Sequence, residues 1–362
     1  MPAGSCGEGR TAPVAERRPN VGGWGKDEGV EYKNVGKSGL KVSAIAVGCM
    51  SFGDTGVGTA HSGWVIDAAD AECIVKTALD GGVNFFDTAN VYSAGTSEEI
   101  TGRLLRKLAR REELVVATKL FQPMRRSPTA GGLSRKEIMF EVDQSLRRLG
   151  MDYIDLYQVH RWDVETPAEE TMAALHDVIR AGKVLYIGAS SMRAWQFAKA
   201  QYTADLGGWT RFISMQNHYN LLYRLEELEM IPQCQDQGVG VIPFSPLARG
   251  RLARDPDERT QRSEVDGSAS RYGDSKRTVD RVGEIAAERG LPRAQIALAW
   301  LMAQPAVTAP IVGSTKVRHI EDAIAATGVD LSQAELDKLS GGSPPPDLGY
   351  RSGGDVLRAR RA

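Results

Sequence analysis

The chain has 362 residues, 42% of them hydrophobic and 25% charged, enough apolar material for one large core. Its 45 basic and 46 acidic residues leave a formal net charge of -1, which offers no electrostatic attraction for nucleic acid or an anionic membrane. No apolar run approaches the ~20 residues that span a bilayer, and the four cysteines (Cys6, Cys49, Cys73, Cys234) stand far apart without companion histidines, so neither a disulfide framework nor a metal site is expected.

The first 30 or so residues are polar, rich in Gly, Pro and Arg, and lack an apolar signal core. Residues 1–30 therefore read as a flexible extension, and the working compartment as a reducing cytoplasm. Next, YKNVGKSGLKVS places a KSG turn between two short extended pieces and predicts a hairpin. The runs AIAVG, NFFDTAN, LVVATKL, YIDLYQVH, VLYIGAS, FISMQNHYN, GVIPFSP and PIVGS then predict eight strands. Amphipathic stretches lie between them: AADAECIVKTALDGG, SEEITGRLLRKLARR, SRKEIMFEVDQSLRRLG, TPAEETMAALHDVIRAGK and MRAWQFAKAQYTADLG, with GLPRAQIALAWLMAQP and STKVRHIEDAIAATG near the C-terminus. Ser97, Ser134 (with Glu137 three later) and Thr166 before Pro167 are expected caps. The basic clusters RRLGM, ARRE and PMRR, interrupted by acids, read as solvated helix faces.

Eight strands alternating with helices are the grammar of an α/β fold of the (β/α)8 TIM-barrel type, here over residues 31–340 with an N-terminal β-hairpin. An open, doubly wound sheet is the rival. It lacks support, because the first strand continues as GCMSFGD and no GxGxxG follows. The polar stretch 251–277 reads as a long loop over the C-terminal rim, the loop 121–134 as a second wall, and 341–362 as an extended tail.

In such a barrel the site lies where strands end. Those ends carry Asp87 with Tyr92, Lys119, His160, Ser190 with Ser191, Gln216, and Phe244 with Ser245. The group Asp87, Tyr92, Lys119 and His160 suits carbonyl reduction. An alkoxide formed by hydride addition needs a proton, which a tyrosine can donate although its pKa of about 10 makes it weak. A lysine cation would favour the tyrosinate, an aspartate would keep that lysine charged, and a neutral histidine would orient the carbonyl. Singly each residue is ordinary; their recurrence at successive strand ends carries the argument. Trp162, two residues past His160, is the aromatic best placed to line a substrate pocket, ahead of Trp64 and Trp209.

FFDTANVY, ATK, YQVHRWD, GASS, SMQNHYN, PFSPLARG and IVGSTKVRHIEDA, in that order, make residues 31–339 resemble the aldo-keto reductase superfamily. GCMSFG and HYNLLYR suggest its bacterial reductases as the nearest branch. The resemblance implies an Asp87, Tyr92, Lys119 and His160 tetrad with Tyr92 as general acid, and Tyr92, His160 and Trp162 facing a small carbonyl substrate. It also implies NADPH lying extended across the rim. Ser190, Ser191 and Gln216 would hold the carboxamide, and Phe244 would stack on the nicotinamide. Ser245, Leu247, Arg249 and Gly250 would line the pyrophosphate, and Gly313, Ser314, Thr315, Lys316 and His319 would surround the 2′-phosphate. Asp87, Gly48 and Met50 complete the expected cofactor contacts. Three positions depart from the family pattern: Phe244 for Trp or Tyr, Ser191 for Asn, and a lysine in GSTK where other branches place arginine. The same scaffold also admits a cofactor-binding regulatory subunit, as in potassium-channel β subunits, or an enzyme run toward oxidation.

Overall fold

The computed structural model describes residues 29–54, 64–255, 258, 272 and 275–341. The expected N-terminal extension, the C-terminal tail and most of the loop 251–277 lie outside the described residues.

A two-stranded antiparallel hairpin, β1 (Tyr32–Asn34) and β2 (Lys41–Ser43), precedes the barrel. The eight predicted runs each yield a parallel strand: β3 (Ala46–Gly48), β4 (Phe85–Asp87), β5 (Val115–Leu120), β6 (Ile154–Val159), β7 (Val184–Ser190), β8 (Ser214–Gln216), β9 (Gly240–Val241) and β10 (Ile311–Gly313). Their order is β10-β3-β4-β5-β6-β7-β8-β9. Pro243 has no N–H to donate, so regular pairing ends at Val241. The curl closes through single contacts instead: Ile311 N donates to Pro243 O at 2.9 Å, and Val241 bridges Val307 in parallel. This is the barrel expected from the sequence.

Helices cover the outside: α1 (Ala68–Asp80), α2 (Thr96–Leu108), α3 (Arg135–Leu149), α4 (Ala168–Arg180), α5 (Ala194–Gly207), α6 (Met230–Gln237), α7 (Lys276–Arg289), α8 (Arg293–Met302), α9 (Val317–Ala326) and α10 (Gln333–Ser340). The sequence reading omits α6, α7 and α10. Among them α7 has a readable stripe, since Val279, Val282, Ile285 and Ala286 are buried at helical spacing. Ser134 caps α3 by accepting from Glu137 N at 3.3 Å. Two other expected caps fail. α2 begins after Gly95, so the buried Ser97 hydroxyl instead donates to Cys49 O at 2.7 Å. Pro167 itself is the N-cap of α4, and Thr166 Oγ1 donates to Asp163 Oδ2 at 2.7 Å.

The core has two shells. A larger one packs strands against helices; a smaller one fills the barrel interior with Val35, Val42, Ala46, Phe85, Val115, Ala117, Leu156, Ile242, Ala309 and Ile311. Val35 comes from the hairpin turn, which is tied to the base by Lys37 N donating to Gly238 O at 2.8 Å. Gly36 fits there because a Cβ would fall 2.3 Å from Gly238 O. The hairpin thus stoppers the N-terminal mouth.

Cys49 and Cys234 are free and buried, whereas Cys73 is disulfide-bonded. Among the described residues no helix is long and apolar enough to cross a membrane, and no cluster of His, Cys, Asp and Glu could hold a metal ion.

Candidate active site

Period-two alternation decides which side chains reach the barrel axis. On β5, Val115 and Ala117 belong to the interior cluster while Val116 and Leu120 pack against helices, so Lys119 follows Ala117 inward. The same count carries Phe85 to Asp87 and Leu156 to Gln158 and His160. Side chains near the base are apolar; those one step up are polar. The barrel therefore seats its charges on an apolar floor.

Lys119 is fully buried, and its Nζ donates to Asp87 Oδ1 at 2.5 Å, to Thr88 O at 2.8 Å and to Tyr92 Oη at 3.4 Å. Asp87 Oδ2 accepts from Gln158 Nε2 at 3.0 Å and from Gln216 Nε2 at 2.9 Å. The Tyr92 and His160 rings meet edge to face at 5.9 Å. The four tetrad candidates are thus brought together.

The electrostatics depart from expectation at one residue. Burial lifts the Tyr92 hydroxyl above the ordinary tyrosine value, outweighing the opposite pull of Lys119, so the phenol stays protonated. Burial alone would draw Lys119 down, but Asp87 and Tyr92 beside it hold the ammonium above the ordinary lysine value. Burial, with the like charges of Lys119 and Arg161, pushes His160 down to about 3, so its imidazole is neutral at physiological pH. His160 Nδ1 is buried without a partner, so no second group fixes the tautomer from behind.

Tyr92 is carried on an unusual backbone. Ser93, Ala94 and Gly95 follow it with φ of 47°, 53° and 99°, three successive left-handed residues of which only the last is glycine. The segment is pinned at both ends: Asn90 N donates to Lys119 O at 3.1 Å, and Thr96 Oγ1 donates to Ser93 O at 2.9 Å. Below it, Asn90 Nδ2 donates to Glu141 Oε2 at 3.1 Å, and Arg148 Nε and Thr118 Oγ1 donate to Glu98 at 2.5 and 2.6 Å. Arg125, on the loop 121–134, donates to Glu137 at 2.6 Å. Arg148 and Arg125 come from the RRLGM and PMRR clusters, and Arg111 of ARRE donates to Asp155 at 2.6 Å. These clusters are thus partly interior, because the facing glutamates Glu98, Glu137 and Glu141 are buried and require cations.

The expected cofactor residues line the same rim. Gly48 ends β3 where a Cβ would press on Ile311 at 2.9 Å, and Met50 follows in a short 3-10 turn. Ser191, Ser245, Ala248, Arg249 and Gly250 all have positive φ, and the N–H groups of Ser191, Ala248 and Gly250 donate to Gln216 O, Ser245 O and Leu247 O at 3.1, 3.0 and 2.8 Å. Leu247 begins the tight turn that holds Arg249 and Gly250. One face of Phe244 is covered by the parallel ring of His218 at 5.2 Å, itself stacked on Tyr223 at 4.1 Å. Lys316 caps α9 without a side-chain hydrogen bond, and Gly313 and Thr315 are exposed beside it. Arg318, Lys316 and Arg254 all act on His319, which burial first and these cations next lower below the ordinary histidine value.

Three expected contacts are already engaged. Ser190 Oγ donates to Gln216 O at 3.0 Å, Ser314 Oγ donates to Lys316 O at 2.7 Å, and both N–H groups of Gln216 are taken by Asp87 and Gln158. Trp162 meets the exposed Trp195 edge to face at 6.3 Å and roofs a small cavity with Val159, Met172 and Phe212, behind the barrel wall rather than over the tetrad. Sequence reasoning missed Gln158, Asn90, His218 and Tyr223. Only Gln158 had a usable signal, two residues before His160 on the strand that His160 follows.

A model of the Aldo/keto reductase family matches residues 44–341. Among similar proteins, an aldo-keto reductase of Fusarium vanettenii is 43% identical over 355 residues, covering 89% of this chain and 93% of its own. Versiconal hemiacetal acetate reductase of Aspergillus parasiticus is 42% identical over 335 residues, covering 86% and 96%. An aldo-keto reductase of Metarhizium robertsii is 45% identical over 339 residues, covering 86% and 90%. The expected bacterial kinship is not borne out, as these relatives are fungal. Match, identity and coverage together show that the chain belongs to the aldo/keto reductase family.

Proposed function

We propose that this protein reduces an aldehyde or ketone to an alcohol with NADPH, Tyr92 acting as the general acid. The observation that carries the reading is the buried Asp87–Lys119–Tyr92 chain, with Lys119 Nζ 2.5 Å from Asp87 Oδ1 and 3.4 Å from Tyr92 Oη. The names of the relatives, reductases among them, support it.

A carbonyl seated between Tyr92 and His160 would accept a hydrogen bond from the Tyr92 hydroxyl, and the neutral His160 ring offers a second, uncharged contact. As negative charge grows on the carbonyl oxygen, Tyr92 passes its proton there. The phenolate left behind faces Lys119, whose fixed charge lowers the cost of that transfer without reorganisation. The high resting value of Tyr92 keeps the proton in place beforehand. Asp87 keeps Lys119 charged and aimed.

NADPH, when bound, supplies the hydride. The rim residues fit it: Arg249 in the turn over 245–250 offers a cation to phosphate oxygens, and Phe244, stacked on one side by His218, offers an aromatic ring to a flat one. Gln216 Oε1 is left to accept from a carboxamide. Lys316, Arg318 and Arg254, gathered about His319, suit a 2′-phosphate and favour NADPH over NADH.

Purified protein, NADPH and a panel of aldehydes and ketones should show loss of absorbance at 340 nm. Tyr92→Phe should remove roughly 10²–10⁴-fold of the rate while cofactor binding persists. An unchanged rate refutes the role given to Tyr92.

A further inference from the structure

Asp87 is held by more than its lysine. Lys119 occupies Oδ1, and two side-chain amides converge on Oδ2, Gln158 at 3.0 Å and Gln216 at 2.9 Å. The two amides are also joined, Gln216 Nε2 donating to Gln158 Oε1 at 3.2 Å. Their orientation is fixed by chemistry: an ionised carboxylate only accepts, so each amide must turn its nitrogen to Asp87. Gln158 is fully buried, and the barrel makes room for it. The residue facing it across the β6–β7 ladder is Gly188, where a Cβ would fall 2.2 Å from Ser214 Oγ and 3.2 Å from Gln158 Cγ.

We propose that Gln158 is a positioning residue, which clamps Asp87 Oδ2 together with Gln216 so that Oδ1 stays on Lys119 and Lys119 stays on Tyr92. This rests on the reading of Tyr92 as the acid. Without the Gln158 donor the carboxylate is free to rotate toward the remaining amide, and the Lys119 Nζ–Tyr92 Oη contact, already long at 3.4 Å, is the first to go. The Gln158–Gln216 link also ties Gln216 Oε1, the acceptor offered to the cofactor carboxamide, to the proton-donating side. The titratable groups around the amide pair are Asp87 on β4, Tyr92 after it, Lys119 on β5, His160 just after β6 and Cys49 after β3.

The test uses two substitutions in the full chain. Gln158→Met keeps volume and removes the donor. It should lower kcat by roughly ten- to a hundredfold, the range of one hydrogen bond to a charged group, with KM for the carbonyl little changed and an altered pH profile of kcat. Gln158→Glu restores a donor only while the introduced carboxyl is protonated. That carboxyl, buried beside Asp87, has a raised folded pKa, so its stabilising contact is present at low pH and lost as pH rises through that value. Activity of Gln158→Glu relative to wild type should therefore fall from pH 5 to pH 9, and its melting temperature should drop below wild type by an amount that grows over the same range.

Wild-type kcat and pH profile in Gln158→Met overturn the proposal, as does melting of Gln158→Glu parallel to wild type at every pH. The melting comparison needs no turnover, so it reads the clamp even where carbonyl reduction by the wild type fails.

Discussion

His160→Gln isolates the charge state of the imidazole. In the fold His160 is depressed to about 3 by burial and by the charges of Lys119 and Arg161, against about 6.5 in an unfolded chain. Between those values the unfolded chain binds a proton that the folded chain refuses. Stability from this group is therefore complete above about pH 6.5 and lost as pH falls toward 3. Each pH unit in the window is worth about 1.4 kcal/mol, so acidification from pH 7.5 to 4.5 should cost about 2–3 kcal/mol through His160 alone, trimmed by the partial exposure of the ring. Glutamine keeps a donor and an acceptor but does not titrate. Urea unfolding of wild type and His160→Gln at pH 4.5, 5.5, 6.5 and 7.5 should give stability curves that converge toward low pH, with every other titrating group cancelling in the difference. Parallel curves would mean that the ring takes up a proton in the fold, and the neutral role assigned to it would fall.

Two further outcomes follow from packing. Arg148→Met strips the buried Glu98 of its guanidinium and should cost about 3–5 kcal/mol in urea unfolding, because a buried carboxylate loses its counter-charge; a loss below about 1 kcal/mol would show that Glu98 finds other solvation. Gly102→Ala forces a Cβ to within 2.0 Å of Leu149 O and 2.5 Å of Leu149 C, so α2 and α3 must separate at a cost of about 1–3 kcal/mol, while Gly39→Ala, with nothing within 4 Å, should be near neutral by the same measurement.

The barrel was legible because each strand grows from a short run rich in apolar or β-branched residues, such as VVATKL or IDLYQV, set between amphipathic helical stretches. The tetrad was legible for the related reason that strand ends converge. Gln158 was not, since a neutral amide on a strand carries no signal of its own, although two-residue periodicity sends it inward as firmly as His160. The sign at Tyr92 was beyond the sequence. Lys119 does pull the phenol down, but the opposing desolvation sums over everything packed around the ring. Arg148 and Arg125 were misread for a similar reason. A short basic cluster on an amphipathic helix looks solvated until the facing glutamates, distant in the chain, are found buried. The three left-handed residues after Tyr92 had a single sequence cue, Gly95, because Ser93 and Ala94 adopt that conformation against their own preference.

The apolar floor beneath Asp87 and Lys119 has an effect on the field they produce. With Phe85, Ala117 and Leu156 below them and the hairpin sealing the base, counter-ions can approach only from the rim. Field lines that would spread in all directions are turned upward into the mouth. Salt should then weaken the attraction of an anionic ligand to Lys316, Arg318 and Arg254 at the rim over a Debye length of about 8–10 Å, while leaving the Asp87–Lys119 attraction almost untouched. The cations on the rim are thereby left to the medium, and the buried pair beneath them is one that it does not reach.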